Sequence, residues 1–391
     1  VLRPDRRGGH APALTIGLGP DPELTGSLDG GDGVRNVEER CMKTAIRVGG
    51  PTTGGRDQFE AMLEMATEAE KLGVDSAWSA EAWGMDAIAP IAYLAARTER
   101  LKLGTGIMQL CARTPAATAM TALAMDTITE GRFLLGLGNS GPQVVEGLHG
   151  QPFDRPGTRM REFVEVVRLA CTGEKIAYEG KTLTLPRKGG QGKPLRIAQP
   201  PAEVPIYLAT LAPRTLEMTG EIADGWLGTS FTPDAAEAHL AYLRRGAERA
   251  GRTLDDLTLC VDASIAITDD PEKLFPGIKT QLAFQLSAMG SPTMNFYNDA
   301  YARSGFEDAC REVRELWLAK KRAEAIAAVP DAMVMKTAIL GDEAAVRERL
   351  RRYAEVGIDV LMLHPIARDL SGRLDTLGRA TEWATEIGSQ A

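Results

Sequence analysis

The sequence predicts an α/β protein, a (β/α)8 TIM barrel with insertions after strands four and seven. Two observations carry this. From Met42 onward, short apolar and β-branched runs alternate with longer stretches of helical periodicity, and such alternation implies parallel strands joined by right-handed helical crossovers. Eight units of this kind fit the roughly 350 residues after Met42, a length a barrel with insertions accommodates. A doubly wound open sheet has the same alternation and is the structural competitor.

The elements follow in order. Thr44–Val48 reads as the first strand, and Asp57 to Leu72 as an amphipathic helix closed by Gly73, the residue type favoured past a helix end. Ser76–Ser79 is strand two, followed by a helix from Asp86 to Arg97. Leu101–Ile107 is strand three. Pro115, favoured at the first helical position, opens a helix to Thr129. Arg132–Leu137 is strand four, followed by a long loop and a helix from Thr158 to Cys171. Lys175–Tyr178 and Thr182–Leu185 flank Glu179-Gly180-Lys181 and read as a hairpin. Pro205–Ala209, Trp226–Thr229 and Leu257–Ile267 are strands five to seven, with helices from Pro213 to Ala223 and from Asp234 to Ala250. A helical insertion runs from Pro271 to about Val329. Glu343–Val356 is helical, Asp359–Leu363 is strand eight, and Leu374–Ile387 is the last helix.

Residues 1–41 contain eight Gly and four Pro and no apolar periodicity. They read as a disordered leader outside the fold, from a start codon assigned too early, with one barrel domain over residues 42–391. No apolar run approaches 18 residues, so no membrane span is expected. A net charge of −8 argues against a nucleic-acid footprint. The five cysteines are scattered without C-x-x-C, which suggests neither a disulfide framework nor a zinc site and fits a reducing cytoplasm.

In such a barrel the chemistry lies at the C-terminal strand ends. The candidates there are Gly49-Gly50, Glu81-Ala82-Trp83, Gly106 to Gln109, Gly138 to Gly141, Thr210-Leu211-Ala212, Thr229-Ser230, Asp262 and His364. They include no metal-binding pair, no Schiff-base lysine and no G-x-S-x-G. The set is Gly-rich and polar and suits a cofactor that brings its own chemistry. Leu211-Ala212-Pro213-Arg214 runs from a strand end into a helix N-terminus, whose free amides and dipole can hold an anion. Gly136 to Gly141 matches G-x-G-x-x-G, but no helix follows at once and no acidic residue ends strand two of a Rossmann unit. These glycines fit better as a surface that lets a planar ring approach the backbone.

Four segments carry a wider likeness: Ala77 to Gly84, Ala95 to Gly106, Thr127 to Gly147, and Pro205 to Trp226. Through them the chain resembles the luciferase-like monooxygenase superfamily, in its F420-dependent oxidoreductase branch. The resemblance implies hydride transfer between deazaflavin F420, or alternatively FMN, and a small organic substrate. It also implies a non-prolyl cis peptide at Gly106-Ile107 behind the ring. Gln109, Asn139, Ser140 and Gly141 would line the ring, Leu211, Ala212, Arg214 and Thr215 would hold the phosphate, and Thr229 would lie near the substrate. In the sugar-phosphate dehydrogenases of that branch an Asp-His pair ends strand two. Here Glu81-Ala82 stands in its place, so Glu81 becomes the catalytic candidate and sugar-phosphate oxidation is disfavoured.

Trp83 is a candidate substrate wall. Arg113 and Arg159 are candidates for a polyanionic cofactor tail. His364 and His149 are weaker candidates, while His239 and His10 read as solvated. The small residues of Pro115–Thr129 suit a homodimer interface. The competing functions are an FMN monooxygenase using O2, a non-catalytic flavin-binding barrel, and a Rossmann dehydrogenase resting on the glycine motif alone.

Overall fold

The computed structural model describes residues 41–49, 55–291 and 293–388. The expected leader, apart from Cys41, lies outside the described residues.

Eight parallel strands close on themselves. They are β1 (Lys43–Gly49), β2 (Ser76–Ala80), β3 (Lys102–Thr105) with its continuation β4 (Met108–Gln109), β5 (Phe133–Gly138), β8 (Ile206–Leu208), β9 (Gly225–Gly228), β10 (Thr258–Ile267) and β12 (Val360–Pro365). The pairing of β9 with β10, of β10 with β12, and of β12 with β1 completes the ring. Between them lie α1 (Gly55–Lys71), α2 (Ile88–Ala95), α3 (Pro115–Thr129), α4 (Pro142–Val145), α5 (Pro156–Cys171), α6 (Pro213–Ile222), α7 (Glu237–Arg249), α13 (Glu343–Glu355) and α14 (Leu370–Gly388). The barrel architecture expected from the strand–helix alternation is therefore present, and the open-sheet and Rossmann readings fall.

Alternation along each strand separates two cores. One set of side chains packs outward under the helices. The other fills the barrel: Ala45, Trp78, Leu134, Tyr207, Leu227, Cys260, Val360 and Met362. Trp78 lies over Gly104, where a Cβ would come within 2.4 Å of its ring, and meets Tyr207 edge-on at 5.1 Å. The interior is thus a packed plug, and the side chains two residues further along each strand form the floor of the mouth.

Both insertions appear where expected. The first carries the hairpin of β6 (Tyr178–Glu179) and β7 (Thr184–Leu185). Its turn wraps the buried carboxylate of Glu162, which accepts from the amides of Lys181, Thr182 and Leu183 and from the Thr182 hydroxyl. Burial opposes the charge, but these four donors outweigh it and lower the pKa. Glu162→Ala should cost about 2–3 kcal/mol, since buried hydrogen bonds to a charged group contribute roughly 1.5–3 kcal/mol. Thermal melts read the loss, and limited proteolysis should cut first within the hairpin.

The second insertion folds α8 (Phe275–Ser287), α9 (Phe296–Tyr301), α10 (Glu307–Leu318), α11 (Arg322–Ala327) and α12 (Asp331–Thr337) around a small core of their own. It ends in a strand the sequence reading lacked, β11 (Ala338–Gly341), which pairs with the upper half of β10. Four apolar residues joined directly to a helix show no strand period of their own, and only the free edge of the long β10 makes them one. Among the described residues no helix is long and apolar enough to cross a membrane.

Candidate active site

The wall between strands three and four is irregular. Gly104 pairs with Leu134 and Met108 with Leu137, so three residues, Thr105 to Ile107, stand opposite two. This is a β-bulge, a device that breaks regular pairing and re-aims side chains. The cis peptide Gly106–Ile107 sits inside it. Thr105 replaces the interrupted pairing: its hydroxyl donates to the Gly136 carbonyl at 2.7 Å and accepts from the Gly136 amide at 2.9 Å. Ile107 folds over Gly138, where a Cβ would lie 2.8 Å from its Cδ1. Gly106, Ile107 and Gly138 therefore give this side of the mouth a low wall.

Behind the bulge is a polar latch. Glu81 receives Arg113 Nη1 on both carboxylate oxygens, at 2.8 and 2.7 Å, and the Gln109 amide at 2.9 Å. Its side chain is only 9% exposed. Gln109 is fully buried and donates from Nε2 to the carbonyls of Glu81 and Ala82, while its Oε1 meets His149 Nε2 at 2.9 Å. The structure thus differs from the sequence reading at three residues. Glu81 is a committed ion-pair partner and not a free acid, Gln109 is turned into the wall, and Arg113 serves Glu81 and not a cofactor tail. Trp83, just beyond, is half exposed on the loop after β2.

Next to the low wall, after the neighbouring strands β5 and β8, two helix N-termini converge. Asn139 donates to the Pro156 carbonyl at 3.2 Å, tying the β5 loop to the start of α5. The missing Cβ of Gly157 would lie 3.7 Å from the Thr215 methyl at the start of α6. Both helices open with proline and neither has a side-chain cap. Among the described residues the amides of Gly157, Thr158, Leu211, Ala212 and Arg214 donate to no protein acceptor. Unsatisfied amides at two neighbouring helix N-termini form an anion-receptive cradle. Thr215 turns its hydroxyl to the Ala212 carbonyl at 2.9 Å, and Arg214 is exposed beside it. Ser140, at φ 61°, and Gly141, the residue capping α4, form the turn that leaves β5. The Gly-rich motif therefore serves a strand end and a turn.

A second polar group occupies the other side of the mouth, and the sequence reading had not assembled it. Arg47, Asp262 and His364 lie two residues beyond Ala45, Cys260 and Met362, all interior positions. They therefore form the next inward layer. Arg47 Nη2 lies 3.2 Å and His364 Nε2 3.4 Å from the same oxygen, Oδ2 of Asp262. Burial alone would push the Asp262 carboxyl up. The His364 hydrogen bond, the charges of Arg47 and His364, and the Thr229 hydroxyl outweigh burial and hold it near 2. Thr229, expected near substrate, belongs to this group.

A depressed carboxylate pKa contributes stability that is complete above the unfolded value, here 3.8, and is lost as pH falls through the folded value near 2. On that basis wild type should exceed Asp262→Asn by about 2 kcal/mol near neutrality. Urea unfolding should show that difference narrowing as pH falls below about 4.

His239 corrects another expectation. It is buried beside Trp226 and Phe231 with neither ring nitrogen partnered, and burial, with the Arg303 charge, pushes it down to about 4. It is a neutral packing residue.

A closed parallel barrel with a low glycine wall, an anion cradle and a charged inner layer has the architecture of a barrel enzyme. The chain belongs to the luciferase-like monooxygenase family, whose sequence model matches residues 40–360. It is 38% identical over 334 residues to Rv3520c of Mycobacterium tuberculosis, which is provisionally named a coenzyme F420-dependent oxidoreductase. That match covers 83% of this chain and 95% of the relative. It is 27% identical to a 5,10-methylenetetrahydromethanopterin reductase of Methanolobus tindarius, covering 83% of this chain and 96% of that one. The fold also matches the F420-dependent tetrahydromethanopterin reductase of Methanopyrus kandleri with a TM-score of 0.70 at 22% identity, over 86% of this chain and 97% of that one.

Proposed function

We propose that this protein is an F420-dependent oxidoreductase moving a hydride between the deazaflavin and a small organic substrate. The observation that carries it is the pairing of a low, Gly-lined wall with a cradle of free amides at two helix N-termini, in a chain 38% identical to a relative assigned that cofactor. These residues fit a planar ring joined to a phosphate. Gly106 and Ile107 would stand behind the ring, with Asn139, Ser140 and Gly141 at its edge. Leu211, Ala212 and Arg214 would hold the phosphate, while Thr215, expected beside them, spends both its amide and its hydroxyl on the Ala212 carbonyl. When bound, F420 would supply the hydride-carrying carbon, and the protein would supply position and exclusion of water.

Glu81 and Gln109 act one step back on this reading, by fixing the bulge through Arg113. Trp83 and Thr229 would face the substrate. The working unit is one barrel from residue 42 onward, in the cytoplasm, where five free cysteines are at home. It works as a homodimer through α3, whose Met120 and Ile128 are exposed two turns apart. Ile128→Asp should shift sedimentation toward the monomer without lowering the melting temperature of the protomer.

The functional test is anaerobic turnover. Reduced F420 should be consumed without O2 when a substrate is present. Consumption of reduced FMN that depends strictly on O2, with F420 inert, would establish the monooxygenase reading instead.

A further inference from the structure

We propose that His364, oriented by Asp262, gives and takes the substrate's proton, that Arg47 binds the substrate oxygen, and that the substrate is therefore a carbonyl–alcohol pair. This rests on the F420 reading and deepens it.

The geometry comes from three strands that are distant in sequence and adjacent in the barrel. β10 pairs with β12 and β12 with β1, which brings Asp262, His364 and Arg47 into one inward layer. Asp262 Oδ2 takes both neighbours, Arg47 Nη2 at 3.2 Å and His364 Nε2 at 3.4 Å. The carboxylate is 18% exposed, while Arg47 is 41% and His364 27% exposed. The acid is thus the buried member, and the guanidinium and imidazole open toward the mouth. An ionised Asp262 favours the tautomer with hydrogen on Nε2, leaving Nδ1 as a free base. Among the described residues His364 Nδ1 has no partner. The other groups around Asp262 are Cys260 from β10, Tyr297 and Tyr301 from α9, and Tyr353 from α13. Burial raises all four, so they stay neutral.

This layer does what a carbonyl–alcohol couple requires and an iminium couple does not. Hydride addition to an iminium carbon leaves a neutral amine, with no charge to quench. Hydride addition to a carbonyl carbon moves the C=O π pair onto oxygen, which must take a proton. The imidazolium of His364 gives that proton, the guanidinium of Arg47 stabilises the oxyanion, and the reduced deazaflavin, as hydride source, is oxidised. In reverse, neutral His364 removes the hydroxyl proton as the hydride leaves the carbon.

Two measurements test this. The first needs no cofactor. With 15N-labelled histidine, four imidazoles are present, and His364→Gln identifies the one in question. Wild type should show the Nε2–H tautomer at His364, and Asp262→Asn should lose that preference. An unchanged tautomer in Asp262→Asn overturns the orienting role. The second uses reduced F420 with cyclohexanone, 2-butanone and benzaldehyde as probes. Wild type should reduce at least one of them. His364→Gln should lower kcat by about 100-fold or more, within the usual range for losing a general acid, and flatten its pH profile, with F420 affinity unchanged. Arg47→Met should raise KM as well as lower kcat. If F420 binds but no probe is reduced, or if His364→Gln reduces them as well as wild type, the inference fails. Failure to bind F420 refutes the cofactor reading instead.

Discussion

Arg113→Ala is expected to destabilise the protein by about 3 kcal/mol, because removing one member of a buried ion pair leaves the other charged and unpaired. Glu81 would keep only the amides of Gln109 and Ala87, at 2.9 and 3.4 Å, in a site where its carboxylate is almost wholly shielded from water. The effect should reach the cofactor as well. Gln109 and Glu81 hold the strand that carries the Gly106–Ile107 bulge, so loosening them frees the wall on which the ring would rest. Glu81→Gln keeps an acceptor for Arg113 and should lose less, about 1–2 kcal/mol, as expected for weakening one charge-assisted contact. Chemical denaturation and F420 titration of both variants separate stability from binding. A melting curve like wild type's for Arg113→Ala would mean that the pair does not hold the bulge.

Ala212→Asp should leave the fold intact and weaken F420 binding more than tenfold. The substitution puts a carboxylate at the residue preceding Pro213, among the free amides of α6. An acid at a helix N-terminus is favourable for the helix, so stability should hold or rise slightly. Against a bound phosphate the same charge is repulsive. Two unit charges about 4 Å apart interact by roughly 4 kcal/mol at an effective dielectric of about 20. Solvent access reduces this to about 2 kcal/mol, still beyond a factor of ten. Retained affinity in a normally folded Ala212→Asp would place the phosphate elsewhere.

The barrel was legible because its evidence is local. Each strand is a short apolar run, and each helix has its own period and its own Pro or Gly punctuation. β11 was illegible because Ala338–Gly341 becomes a strand only through the edge of β10. The free amides at the helix start Leu211-Ala212-Pro213 were readable from the sequence, since proline marks the position. That α5 meets them there was not, because nothing near Pro156 signals its approach to Thr215. Glu81 was picked out as a strand-end acid, but its partner lies 32 residues away. Arg47 and His364 stand 215 and 102 residues from Asp262. A signal for them did exist: a charged or titratable residue two positions past an interior apolar one, at the C-terminal end of three barrel strands. Asp262 and His364 stand at strand ends in the sequence, but only ring closure between β1 and β12 brings Arg47 beside them.

The central claim is that this mouth is shaped for a deazaflavin, and equilibrium titration of the purified protein with F420 and, separately, with FMN tests it most directly. Absorbance and fluorescence should report saturable F420 binding that weakens in Ala212→Asp, with FMN binding at least tenfold weaker. Tight FMN binding with no response to F420 would contradict the account.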